Sequence, residues 1–271
     1  MEKDKWNAFC KFKSEYKAEC IHYLDILGYK YKEPFLENCA AQSFKKENAL
    51  FFKEGLAKLQ EEAARAAKTP PYTVETPIVY NHAWELIGQD DEIKLIVIGD
   101  NPGKNEQLHK NQKYLVGLAG KIADNFFKKN PSFGIDFRKN VIILNKTPIH
   151  TAKTKQLDFL LRKDGDGSFK KFYEETQIFT AQKTAEVQKK LGCPIWLVGY
   201  SELKPRGLFQ SYADEIKNLY ADTKNPQIYL YQHFSMNRFL IDLKDNYDQN
   251  ISLEENLSLL GIRHRKEILD F

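Results

Sequence analysis

The sequence predicts an α/β protein, a three-layer α/β/α domain built on a central four-stranded parallel sheet. Three observations carry this. Four short runs (95–98, 141–144, 195–198 and 228–231) are almost continuously apolar, as strands covered on both faces must be. Helical periodicities over 117–129, 168–191 and 208–220 separate them, giving the β-α alternation that feeds right-handed crossovers. Each run also stops on polar residues: Gly99-Asp100-Asn101, Asn145, Gly199-Tyr200-Ser201 and Gln232-His233. Ligands of open parallel sheets bind at the carboxyl ends of the strands.

The elements follow in order. Trp6, Phe9, Cys10, Cys20, Tyr23, Leu24 and Leu27 recur at helical spacing, and Gly28 supplies a stop. Ser43 can cap a second helix with Phe44, Phe51, Phe52, Leu56 and Leu59 on its apolar side. That helix must end by Thr69-Pro70-Pro71. Residues 1–69 therefore form a helical N-terminal region packed on the core, and residues 70–271 form the α/β domain. A closing helix over 252–268 carries Arg263, His264, Arg265 and Lys266, which read as a solvated basic end suited to the helix dipole.

Composition narrows the classes. With 42% hydrophobic and 13% aromatic residues in 271, the chain can build a core of ordinary size. The net charge of +4 permits a nucleic-acid partner without requiring one. No apolar run suits a signal-peptide core or a membrane span, so a cytoplasmic monomer is expected. The four cysteines (Cys10, Cys20, Cys39 and Cys193) form no CxxC pair, so reduced thiols and no metal or other cofactor are expected.

The most informative stretch is Ile96 to Glu106, IVIGDNPGKNE. It is no Walker A loop, because only three residues separate Gly99 from Gly103 and Asn105 follows the lysine. It is no dinucleotide fingerprint either, lacking GxGxxG. Taken alone it reads as a turn, with Pro102 fixing φ and Gly103 supplying φ > 0. What weighs against a bare turn is its company at the other strand tips.

Those residues, in that order, resemble the uracil-DNA glycosylase superfamily. GDNPG is similar to the GMNPG loop of its single-strand-selective monofunctional branch. Asn145-Lys146-Thr147-Pro148-Ile149 is similar to that branch's N-x-x-P-L, and Tyr80 to Trp84 (YNHAW) to a stretch that precedes its first motif. Glu106 and Val116 to Gly120 (VGLAG) resemble the iron–sulfur branch instead; the cluster cysteines of that branch are missing, so no cluster is expected. The superfamily's HPSP motif becomes His233-Phe234-Ser235-Met236 here, without its prolines.

The resemblance implies hydrolysis of the N-glycosidic bond of uracil or a related damaged pyrimidine in DNA, leaving an abasic site. It implies catalytic roles for Asp100, Asn101 and His233: respectively a carboxylate that acts as base or faces the cationic sugar, the holder of the attacking water, and a donor to the departing base. Tyr114, 13 residues beyond Asn101, would stack on the flipped base, and Asn145 would read its edge. Gly99, Pro102, Gly103 and Ser235 would shape the site. Met236 would act as an apolar wedge and Arg238 as a phosphate contact, on DNA that is single-stranded or locally opened. Two other readings stay open: a non-catalytic binder of modified nucleic acid, and a small-molecule nucleoside hydrolase.

Overall fold

A computed structural model describes residues 1–34 and 55–271. The expected helix start at Ser43, with Phe44, Phe51 and Phe52, lies outside the described residues, as does Cys39. The first helix, α1 (Lys3–Ile26), buries Phe9, Phe12, Tyr16, Cys20 and Tyr23 at three- and four-residue intervals. Its end closes by a Schellman pattern: Tyr29 N–H donates to Leu24 O and Gly28 N–H to Asp25 O, with Gly28 at φ 75°. The next helix, α2 (Leu56–Ala66), stops ahead of the prolines at 70 and 71, as the sequence requires.

The sheet consists of β1 (Leu95–Gly99), β2 (Val141–Asn145), β3 (Ile195–Val198) and β4 (Ile228–Tyr231). All neighbours are parallel, in the order β2-β1-β3-β4. Every residue of β1, β2 and β3 is buried, which explains why these strands read as unbroken apolar runs rather than alternating ones. The crossover from β1 to β2 contains α3 (Leu118–Lys129); the path from β2 to β3 contains α4 (Gln156–Lys163) and α5 (Ser168–Leu191); α6 (Gln210–Tyr220) joins β3 to β4. The chain closes with α7 (Arg238–Asp245) and α8 (Leu253–Leu269). The strand order steps one way from β1 to β2 and the other way afterwards. Right-handed crossovers then place α3 on one face and α5 and α6 on the other.

Trp196 marks the α3 face. Its ring meets Phe127 of α3, Phe239 of α7 and Tyr231 of β4 at centroid distances of 5.3, 5.9 and 5.0 Å. Helix α8 lies against β4 on the same face at Gly261, where a Cβ would come within 2.6 Å of Tyr229 Cβ. On the other face, α1 packs along α5, with Tyr16 and Thr180 sharing a 3.1 Å hydrogen bond and Lys183 paired to Glu15 at 2.6 Å. The N-terminal helix thus packs between α5 and Trp84, and its buried aromatics join the central core.

One local reading needs correction in part. The basic end of the closing helix is solvated at Arg263 and Lys266, but His264 and Arg265 are buried. Arg265 donates to the carbonyls of Pro226, Ile228 and Phe271, because this last turn lies over the start of β4. Between β2 and α5, α4 packs against α2.

The edge of β2 is closed by the Tyr80–Trp84 stretch. Asn81 Nδ2–H and Trp84 Nε1–H both donate to Ile143 O, at 2.9 and 3.1 Å, which uses up a carbonyl that an open edge would expose. No described helix is long and apolar enough to cross a membrane. Gly261→Ala is expected to lower stability by roughly 1–3 kcal/mol, because the added methyl has only sheet atoms to displace. A thermal or denaturant midpoint equal to that of the parent chain would show that α8 does not rest on β4 this closely.

Candidate active site

The polar strand ends converge as the sequence anticipates. Gly99 and Asn145 are register partners at the tips of β1 and β2. A Cβ on Gly99 would stand 2.5 Å from Asn145 Oδ1, so glycine here is what admits the amide. Asn145 itself is buried, and its Nδ2 has no hydrogen-bond partner among the described residues. A buried amide donor left unpaired is costly, at about 1–3 kcal/mol, and marks a position suited to a ligand acceptor.

Asp100, one residue past β1, accepts from Lys146 Nζ at 2.6 Å and from Thr154 Oγ1 at 3.3 Å. Its carboxylate lies over Gly199, whose φ of 81° suits glycine and whose missing Cβ would otherwise sit 2.5 Å from Asp100 Oδ1. Lys146 was not singled out by sequence, yet it is wholly buried. Besides Asp100, its ammonium reaches Val198 O at 2.6 Å and Gly99 O at 3.3 Å. Burial pulls its pKa down and the Asp100 carboxylate opposes that. The only sequence signal was a cation immediately following an apolar strand.

Asn101 is held in one orientation by a chain of bonds. Thr151 Oγ1–H donates to Lys153 O at 3.0 Å, so toward Asn101 the hydroxyl acts as acceptor. It takes Asn101 Nδ2–H at 2.8 Å, and longer contacts from the same nitrogen run to Ile149 O and Thr151 O. The amide nitrogen is thereby committed, and Oδ1, which takes part in none of these bonds, is left as an acceptor. The loop below is fixed by Pro102 O, which accepts from Thr151 N–H at 3.1 Å and His150 Nδ1–H at 2.9 Å. Gly103 N–H donates to Glu106 Oε2 at 3.1 Å, and Gly103 does not adopt the positive φ expected of the Pro-Gly turn. Glu106 is buried, which pushes its pKa up to about 7 despite amide donors from Gly103, Leu115 and Val116.

His233 follows β4. Its Nδ1 accepts Ser235 N–H at 3.0 Å and lies 2.7 Å from Ser235 Oγ. An Nδ1 that accepts a backbone N–H carries no proton, so in the neutral ring the proton is on Nε2, which becomes a donor. Burial lowers the imidazole's pKa; the Asp100 charge raises it and the Lys146 charge lowers it. Asn101, Asn145 and His233 thus present one acceptor and two donors at the ends of β1, β2 and β4, and the Asp100 carboxylate is near enough to His233 to act on it.

The remaining expected residues lie around this group. Tyr114 is fully buried, donates from its hydroxyl to Val79 O at 2.5 Å and meets Trp84 edge-on at 6.2 Å. Its ring has no exposed face. Ser235, Met236 and Asn237 form a single 3-10 turn, the shortened form of the expected loop. Met236 and Asn237 both have φ 56°, and Met236 is 74% exposed at the tip. Arg238 is exposed where α7 begins. Beside the turn is an open cleft of about 340 Å³ lined by Gln232, Met236, Arg238, Ile241, Asp242 and Asp245. Among the described residues, no group of three or more His, Cys, Asp and Glu side chains is placed to hold a metal ion.

The histidine that supports the loop has a consequence for stability. Burial pushes His150 down to about 4 from its ordinary 6.5. Below pH 6.5 the unfolded chain therefore takes up a proton that the folded chain refuses, and stability falls as pH drops from 6.5 toward 4. Denaturant midpoints across that window are expected to fall less steeply in His150→Gln than in the parent. Equal slopes would exclude His150 as a source of the acid sensitivity. Comparisons with protein-family models, curated proteins and solved structures return no match to this chain.

Proposed function

We propose that the chain is a DNA glycosylase that hydrolyses the N-glycosidic bond of uracil or a related damaged pyrimidine, acting in the cytoplasm on single-stranded or locally opened DNA. The observation that carries this reading is the opposed polarity of two fixed groups. Asn101 presents an acceptor, and His233 presents Nε2–H as a donor. Hydrolysis of an N-glycoside needs this pair. An acceptor orients the water that attacks the sugar, and a donor stabilises the negative charge arriving on the departing base.

The other residues take roles that follow from their environments. Asp100 supplies a carboxylate to stabilise the oxocarbenium-like sugar. Asn145 Nδ2–H, unpaired in its buried position, offers a hydrogen bond to a pyrimidine carbonyl. Tyr114 is locked in the core, so in this reading it supports the pocket wall, and stacking on its face would require that wall to open. Met236, projecting from a tight turn, is placed to enter the gap left by an extruded base. Arg238 at the same turn is placed for a phosphate.

The test is excision from labelled oligonucleotides, single- and double-stranded, each carrying uracil, 5-hydroxymethyluracil, hypoxanthine or a mismatch, followed by alkaline cleavage. Scission at a pyrimidine lesion is expected. Asn101→Ala and His233→Ala are each expected to reduce it by about 10²–10³-fold while leaving the fold intact. Binding without scission would replace the enzyme with a non-catalytic reader, and faster turnover of free deoxyuridine would replace it with a nucleoside hydrolase.

A further inference from the structure

The buried ion pair at the strand tips has a feature that a simple strut does not need. Lys146 is the one wholly buried lysine of the described residues. Its three ammonium hydrogens have three acceptors: Asp100 Oδ1, Val198 O and Gly99 O. It therefore has no hydrogen left for a substrate. Its charge nevertheless reaches the site: the Asp100 carboxylate that it holds lies against Gly199, whose N–H donates to Tyr231 O at 2.9 Å, two residues before His233, and both charges act on the imidazole.

The His233 bonding pattern shows why that charge matters. Nδ1 accepts the Ser235 N–H. A proton on Nδ1 would set donor against donor and break the bond that shapes the turn carrying Met236. An unpaired Asp100 carboxylate nearby would promote that protonation. Lys146 cancels the carboxylate's charge at 2.6 Å.

We propose that Lys146 is a positioning residue: it fixes the Asp100 carboxylate over Gly199 and, by balancing its charge, keeps His233 a neutral imidazole with Nε2–H turned to the site. This rests on the glycosylase reading for its purpose, although the charge relation itself does not. The pair and the titratable groups around it come from five places in the fold. Asp100 lies at the tip of β1 and Lys146 at the tip of β2. Glu202, in the turn after β3, acts on Lys146, and Tyr173 of α5 feels both Asp100 and Glu202. His233 stands beyond β4. Burial does most to hold the imidazole neutral, and of these groups Asp100 and Lys146 are the two that act on it in addition.

The experiment is an NMR titration of the His233 ring in the full chain, requiring no substrate. In Lys146→Met the His233 midpoint is expected to rise by about one pH unit, the size of effect an unscreened neighbouring charge exerts. In Asp100→Asn it is expected to fall. The double variant Lys146→Met/Asp100→Asn replaces the ion pair with neutral groups of similar volume, a change that proteins commonly tolerate. There the midpoint is expected to return close to that of the parent.

An unmoved midpoint in Lys146→Met would overturn the proposal and leave Lys146 a strut. Should Lys146→Met fail to fold, an unmoved midpoint in Asp100→Asn would overturn it equally. Where excision is measurable, Lys146→Met is expected to lose activity at a higher pH on the acid side than the parent does. Intact coupling in a chain that excises nothing would refute the glycosylase reading alone.

Discussion

One ammonium group organises the carboxyl end of the sheet. Burying a cation is tolerable only when it is paired and its hydrogens are used. Lys146 meets that condition with the carbonyls of Gly99 and Val198 and the carboxylate of Asp100. These acceptors belong to β1, β3 and the loop between β1 and α3. A lysine from β2 thus joins three adjacent strands at their tips. The glycines at 99 and 199 follow from it. With those tips drawn together, any side chain at either position would collide with Asn145 or Asp100.

The support for the candidate site is arranged in the same way, each group at the strand ends being held in one orientation by a neighbour. Thr151 turns the Asn101 amide, His150 anchors Pro102, and the Ser235 amide sets the His233 tautomer. The aromatic row of α1 packs against α5, and the Tyr80–Trp84 stretch closes the β2 edge. Both contributions lie outside the strand-helix repeat. Lys146 is left wholly buried, while Asp100 keeps a partly exposed edge.

The fold was legible because parallel strands buried on both faces must be continuously apolar, and helices covering them must repeat at 3.6 residues. The strands over 195–198 and 228–231 and the helix over 168–191 agree with that expectation to the residue. Asp100, Asn101, Asn145 and His233 were legible as polar terminators of those runs. Lys146 was not, because its role depends on carbonyls 47 and 52 positions away in the chain, a relation no local pattern encodes. His264 and Arg265 of the closing helix were misread for the same reason. Its basic cluster suggests solvent until the carbonyls of Pro226 and Ile228 are seen beneath Arg265. The short helices α4 and α7 are too brief for periodicity to declare them.

The hydrogen bond from the Ser235 amide to His233 joins two things that are usually considered separately. One is the proton affinity of a ring, and the other is the shape of a surface turn with two successive left-handed residues. Linkage is reciprocal. Any partner that grips the turn in this shape makes the imidazole harder to protonate, and any proton on Nδ1 weakens that partner's grip by the same factor. Contact at the molecular surface and acid–base state in the interior are therefore two readings of one equilibrium.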